Sequence, residues 1–206
     1  SLGPTIKKLL REDYSGDSHE SVENLISTLC EEPLLFKLMS VCPLDDLKFE
    51  VALSNVRKKL LLSVYGISNT PQTLRFQSAL ALQCFTNEYL YDLTNNEIQL
   101  LTVLEAFVKG VLLKGGQPSP QWVLCLASYK ALHQYKWIGL LTLTDSLQEV
   151  FTRQVLEPHQ ENHLKNEVLT LQELSNKVSL NVREQYETSP YPRWIDMGLV
   201  LKPSPI

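Results

Sequence analysis

Leucine is the residue that most constrains the fold of this chain. Of the 206 residues, 39 are leucine and only 22 are valine or isoleucine. Leucine loses little side-chain freedom in a helix, whereas β-branched residues favour strands. The apolar residues also recur at spacings of three and four, which places them on single faces of helices. The sequence therefore predicts an all-α fold, an irregular bundle of about eight helices.

Prolines and capping residues predict where these helices begin. The predicted starts are Asp17 or Ser18, Pro33, the run after Pro43, Pro71, Thr94 or Asn95, Pro120, Asp145 and Thr170. We expect residues 74–91 to form one helix that is apolar on nearly every side and lies at the centre of the bundle. The helix that begins at Pro120 is expected to reach about Trp137, and Glu157–Pro158 is expected to interrupt the helix that begins at Asp145.

Three segments follow from this pattern. Residues 1–16 are predicted to form an N-terminal arm, residues 17–187 the helical domain, and residues 188–206 an extended linker. Pro190 and Pro192 exclude further helix in that last segment. The linker is therefore predicted to be an extended, proline-rich strip.

Composition and charge exclude several classes of protein. The net charge is −4 and the pI about 5.6, so no basic stripe is expected and nucleic acid is not an expected partner. No uncharged apolar run approaches the ~18 residues that cross a membrane. The four cysteines form no C-x-x-C pair, which is typical of reduced, buried thiols. These features predict a cytoplasmic protein.

No group of residues stands out as a catalytic, cofactor-binding or metal site. On a helix, His159 and His163 would lie one turn apart on the same face, a spacing that zinc sites use. Their order is not H-E-x-x-H and no third ligand is near, so we favour a charged helix start with Glu157 and Glu161. The adjacent glycines Gly115 and Gly116 follow a helical run and are expected to end it rather than to cradle a phosphate.

Two stretches are candidate interaction surfaces. Asn87, Glu88 and Tyr89 lie inside the predicted apolar helix, where polar groups must be paired or face a cleft. The alternative is a buried hydrogen-bond network that joins helices. At the end of the chain, charged and aromatic residues lie beside prolines on a strip that loses little entropy on docking. These residues are Arg183, Tyr186, Tyr191, Arg193 and Trp194, and Glu157 and Glu161 are further candidate interaction residues.

Three motifs resemble one family of enzymes. They are the run Val-Arg-Glu-Gln-Tyr-Glu-x-x-Pro-Tyr-Pro-Arg-Trp at residues 182–194, residues 79–89, and Arg153-Gln154-Val155 followed by Glu157-Pro158 and Glu161. The sequence is similar here to bacterial tetratricopeptide-repeat-associated, S-adenosylmethionine-dependent methyltransferases. In that family a helical region lies between the repeats and a class I methyltransferase domain, and the extended strip leads into that domain.

The resemblance covers residues from about 74 to 206 and is not complete. No tetratricopeptide repeats precede it, and the glycine-rich cofactor motif would be expected only after residue 206. No cofactor or catalytic residue is therefore carried over to this chain. S-adenosylmethionine is implied for the parent protein, whereas we expect this chain alone not to bind it, an expectation that calorimetric titration tests.

The resemblance implies a non-catalytic accessory domain that holds a protein or peptide substrate, or covers the edge of a catalytic pocket, with a methyltransferase domain in cis. A free-standing helical protein-interaction module is the alternative. A third hypothesis is a helical metalloenzyme that uses His159 and His163. No membrane partner is expected.

Overall fold

In a computed structural model, the structure describes residues 19–42, 44, 47–165 and 182. The chain divides into two compact units, residues 1–168 and residues 169–206. Of the second unit only Val182 is described, and it is helical and exposed. The described residues form helices and turns but no strand, so the predicted all-α class is confirmed.

Seven helices are described in the first unit. They are α1 (His19–Cys30), α2 (Pro33–Val41), α3 (Leu47–Leu62), α4 (Pro71–Thr86), α5 (Asn95–Leu113), α6 (Pro120–Ala127) and α7, which consists of three consecutive segments, Asp145–Phe151, the π-helical Thr152–Leu156, and Glu157–Lys165. Two short 3-10 helices, Leu132–Gln134 and Ile138–Leu140, lie between α6 and α7. Several of these helices begin where the sequence predicts.

The predicted caps explain those starting points. Thr70 accepts a hydrogen bond from the amide of Thr73 at 3.1 Å, and Pro71 occupies the first turn of α4. Thr94 and Glu97 form a reciprocal capping box at the start of α5. At its other end, Gly115 adopts a left-handed φ of 80° and donates to the Leu112 carbonyl. These local interactions fix α5 at both ends.

Helix α4 lies at the centre of the unit, as predicted. Its residues from Ala79 to Thr86 are all buried. Phe76 and Leu80 pack into one apolar cluster with α1, α2 and α3, while Ala81 and Leu82 pack into a second cluster with α5, α6 and α7. The one helix therefore joins the two halves of the core.

The predicted extension of α4 to residue 91 is wrong. The helix ends at Thr86, and Glu88 and Tyr89 take left-handed φ angles of 52° and 56°. The Tyr89 amide donates to the Cys84 carbonyl at 2.9 Å, which closes the turn. Two left-handed residues in succession end the helix although the apolar pattern continues.

Helix α6 is also shorter than predicted, because it ends at Ala127 rather than near Trp137. The Ser128 hydroxyl donates to the Cys125 carbonyl at 2.7 Å. The Leu132 amide, which a longer helix would use internally, instead donates to Gln154 Oε1 at 3.1 Å. Tertiary hydrogen bonding thus replaces helix in this segment.

Pro158 does not interrupt α7, contrary to the prediction. A proline nitrogen cannot donate to the carbonyl four residues earlier, which is that of Gln154. His133 Nδ1 lies 2.8 Å from this carbonyl oxygen and donates to it. At the end of the π-helical segment, just before the proline, the Glu157 amide donates a hydrogen bond to the Thr152 carbonyl. A side chain from another part of the fold thus satisfies the carbonyl that the proline leaves free.

The remaining domain predictions lie outside the described residues. These are the arm at 1–16, the linker at 188–206 and, apart from Val182, the helix predicted to begin at Thr170. All four cysteines are free thiols, and Cys84 and Cys125 are buried. No helix among the described residues is both long and apolar enough to span a bilayer.

Candidate functional site

A groove lies over one face of α4, and we call it the α4 groove. Its floor is a stripe of α4 residues spaced three or four apart: Pro71, Leu74, Arg75, Ser78, Ala79 and Leu82. This stripe rises over about 16 Å along the helix axis. The groove has a volume of about 830 Å³, so it is large enough for a ligand of several residues.

Two other helices form the walls of the α4 groove. On one side, α2 contributes Pro33, Phe36, Lys37 and Ser40, again at helical spacing. On the other side stand Thr144, Asp145, Ser146 and Glu149, at the beginning of α7. Both walls pack directly against α4. The groove is therefore made by three helices that are far apart in the sequence.

Charges of opposite sign line the α4 groove. Lys37 and Arg75 come from α2 and α4, while Asp145 and Glu149 come from α7. All four side chains are exposed, and within the described part of the chain none of them is held in an ion pair. The Arg75 guanidinium lies over the Phe36 ring, 4.8 Å from its centroid, which orients it along the α2 wall. These charges are available to a ligand.

Arg153 connects the α7 wall to the α2 wall. Its Nη1 donates to the Ser40 carbonyl at 3.2 Å, and its Nε lies 3.1 Å from a carboxylate oxygen of Glu157, one turn further along α7. Ser40 is itself a lining residue of the groove. The Glu157 carboxylate therefore holds the arginine that joins the two walls.

Gln154 fixes α7 against the centre of the bundle. The side chain is fully buried, and its amide nitrogen donates to the carbonyls of Ala81 on α4 and Ala127 on α6, both at 3.1 Å. Its amide oxygen accepts from Leu132. This residue belongs to the π-helical segment, a feature that often accompanies functional sites. One glutamine thus positions the wall that carries Asp145 and Glu149.

The candidate residues Asn87, Glu88 and Tyr89 lie in the turn after α4. Asn87 is buried, while Glu88 and Tyr89 are half-buried. The Tyr89 hydroxyl donates to the Ala127 carbonyl at 3.2 Å, which joins this turn to α6. For Tyr89 the structure agrees with the alternative of a hydrogen-bond network between helices. None of the three lines the α4 groove.

A buried arginine lies close to that turn. Arg57 is only 2% exposed, and its guanidinium lies between the rings of Tyr91 and Tyr129, 4.5 and 4.3 Å from their centroids. Burial favours a raised pKa for Glu97, but hydrogen bonds from Thr94 and Tyr129, with the positive charge of Arg57, lower that pKa below its ordinary value. We call Arg57, Tyr91, Glu97 and Tyr129 the buried arginine cluster.

The remaining predicted residues lie elsewhere. Glu161 is exposed on the last segment of α7, as are His159 and His163, which do lie one helical turn apart. Among the described residues, no three His, Cys, Asp or Glu side chains are grouped closely enough to hold a metal ion. Arg183, Tyr186, Tyr191, Arg193 and Trp194 lie outside the described residues.

The cofactor that the resemblance implies does not fit the described residues. S-adenosylmethionine sites of class I methyltransferases need a glycine-rich turn between a strand and a helix. Here Gly115 and Gly116 close the end of α5, and the described part of the chain contains no strand. No step of the chemistry is therefore assigned to these residues.

Sequence reasoning missed the residues that line the α4 groove. Lys37, Arg75, Asp145 and Glu149 are ordinary surface residues when each helix is considered alone. The signal that was available is Arg75, the one charged residue of α4. Searches among protein-family models, curated proteins and solved structures found no match to this chain.

Proposed function

We propose that this chain is a non-catalytic helical domain that holds a segment of a partner protein or peptide in the α4 groove. One observation carries the proposal. The groove exposes four charged side chains, from the two walls and the floor, that form no ion pair within the described part of the chain. Exposed charges are commonly solvated and unpaired, so what distinguishes these four is that both signs line one concave groove.

The size and lining of the α4 groove support this proposal. Its volume of about 830 Å³ lies within the range of known ligand sites. Leu74, Ala79 and Leu82 supply an apolar floor, and the hydroxyls of Ser78 and Ser146 supply groups that can bond a peptide backbone. This mixture suits a peptide segment better than a purely apolar molecule.

The role in a parent protein is proposed from the sequence resemblance. The motif at residues 182–194 implies a methyltransferase domain in cis, so the groove would hold the substrate of that domain. A free-standing interaction module would use the same groove. The coding sequence beyond Ile206 distinguishes the two, because only the accessory domain requires a following strand and glycine-rich turn.

The proposal is tested by selecting, from a displayed library of random peptides, those that bind the full chain. Selected peptides are then measured by fluorescence anisotropy against three proteins: the wild type, Ser78→Trp and Ala106→Trp. Ser78 lies on the floor of the groove, so an indole there fills it. Ala106 is exposed on α5, outside the residues that line the groove, and serves as the matched control.

We expect peptides whose affinity falls at least about tenfold with Ser78→Trp and is unchanged with Ala106→Trp. Far-UV circular dichroism of both variants shows whether the helices are retained. The proposal is contradicted if no peptide is selected, or if the selected peptides bind a folded Ser78→Trp variant as tightly as the wild type.

A further inference from the structure

The arrangement of charges in the α4 groove specifies the class of segment that it holds, and this inference rests on the proposed function. The cationic side, Lys37 and Arg75, belongs to α2 and the adjoining part of α4. The anionic side, Asp145 and Glu149, belongs to the beginning of α7. A ligand that lies along the groove therefore meets positive charge on one flank and negative charge on the other.

The spacing of the two carboxylates matches an extended chain. Asp145 and Glu149 are four residues apart on one helix, a rise of about 6 Å along its axis. In an extended peptide, side chains two residues apart lie on the same flank, separated by about 6.6 Å. Two basic side chains at positions i and i+2 of such a peptide therefore have about the same separation as the two carboxylates.

The same geometry places the intervening residue against the other wall. Successive side chains of an extended peptide point to opposite sides, so position i+1 faces α2 and the Arg75 guanidinium. Phe36 orients that guanidinium by stacking, at 4.8 Å. A carboxylate at i+1 is its natural partner. In this orientation the peptide backbone faces the floor, where Ser78 offers a hydroxyl.

We infer that the α4 groove binds an extended peptide segment of alternating charge, with basic side chains at i and i+2 against Asp145 and Glu149 and an acidic side chain between them against Lys37 and Arg75. The floor is about 16 Å long and so spans about five extended residues, which is the length of peptide segment that the groove binds.

The test uses two labelled hexapeptides of identical composition, Ser-Lys-Glu-Lys-Glu-Ser and Ser-Lys-Lys-Glu-Glu-Ser. Both are too short to form a stable helix, so only the order of the charges differs. Their affinities for the full chain are measured by fluorescence anisotropy at low ionic strength, where charge interactions are least screened. The variants are Asp145→Asn/Glu149→Gln and, as a charge-matched control, Glu161→Gln/Glu31→Gln, which alters exposed carboxylates outside the groove.

We expect the alternating peptide to bind the wild type about five- to tenfold more tightly than the block peptide. The groove double variant should lose that preference, and the control double variant should keep it. Equal affinities of the two peptides for the wild type, or an unchanged preference in the groove double variant, would overturn the inference.

The two proposals fail in different ways. If library peptides bind in a manner that Ser78→Trp abolishes, but the alternating hexapeptide has no advantage, the charge-order inference is wrong and the peptide-holding function stands. If no peptide responds to Ser78→Trp, both are wrong. Raising the salt concentration should reduce the advantage of the alternating peptide, and an advantage that is independent of salt would contradict the assigned role of the four charges.

Discussion

Two arginines in this protein have opposite surroundings, and the contrast separates residues that hold the fold from residues that are free to bind. Arg57 is buried between two tyrosine rings, and its positive charge helps to lower the pKa of Glu97. Arg75 is exposed on the floor of the α4 groove and touches a single ring, that of Phe36. The first charge lies against two aromatic rings in the interior, while the second lies against one ring at the surface.

The same contrast extends to their neighbours. Around the buried arginine cluster, Glu97 accepts hydrogen bonds from the Thr94 amide, the Thr94 hydroxyl and the Tyr129 hydroxyl, at 2.9, 2.7 and 3.1 Å. In the α4 groove, Asp145 and Glu149 form no ion pair within the described residues. Substitutions in the interior should therefore lower stability, and substitutions in the groove should leave it unchanged.

The largest effect is expected from Gln154, a fully buried residue that makes three hydrogen bonds to other parts of the fold. Gln154→Ala removes three hydrogen bonds and leaves a cavity, so the free energy of unfolding should fall by about 3 kcal/mol. Urea unfolding measures this loss. Gln160→Ala, at an exposed position on the same helix, should change stability by less than about 0.5 kcal/mol. Similar losses in the two variants would contradict the role of Gln154.

A smaller and pH-dependent effect is expected from Glu97. The folded state lowers the pKa of this carboxyl, so its contribution to stability is complete above the unfolded pKa of about 4.3 and is lost as the pH falls through the folded pKa. Glu97→Gln should cost about 1.5 kcal/mol at pH 7, because the α5 cap and the Tyr129 hydrogen bond weaken.

The control for this prediction is Glu161→Gln, at an exposed position. On acidification below pH 4, the wild type and the control should lose stability more steeply than Glu97→Gln does, since that variant has no carboxylate to protonate at this position. If all three proteins show the same acid dependence, Glu97 is not held in its ionised form by the fold.

The sequence predicts the parts of the fold that local interactions determine. Pro71 after Thr70, the Thr94–Glu97 box and Gly115 are each recognisable within a few residues, and each marks a helix end in the structure. The central position of α4 also follows from its apolar character alone. Such features need no information from the rest of the chain.

The sequence does not predict the features that depend on tertiary contacts. His133 satisfies the carbonyl that Pro158 leaves free, and it lies in a different part of the chain, so the proline was expected to end the helix. Gln154 accepts a hydrogen bond from the Leu132 amide, and the helix that begins at Pro120 is therefore shorter than predicted. The α4 groove is formed by three helices, and no single segment contains both its positive and its negative wall.

The most direct test of the contrast is the unfolding free energy of one variant in which all four groove charges are neutralised: Lys37→Gln, Arg75→Gln, Asp145→Asn and Glu149→Gln. Because these side chains are exposed and form no ion pair among the described residues, we expect urea unfolding to give a value within about 0.5 kcal/mol of the wild type. A loss of more than about 2 kcal/mol would show that the four charges stabilise the fold, and would contradict their assignment to a bound peptide.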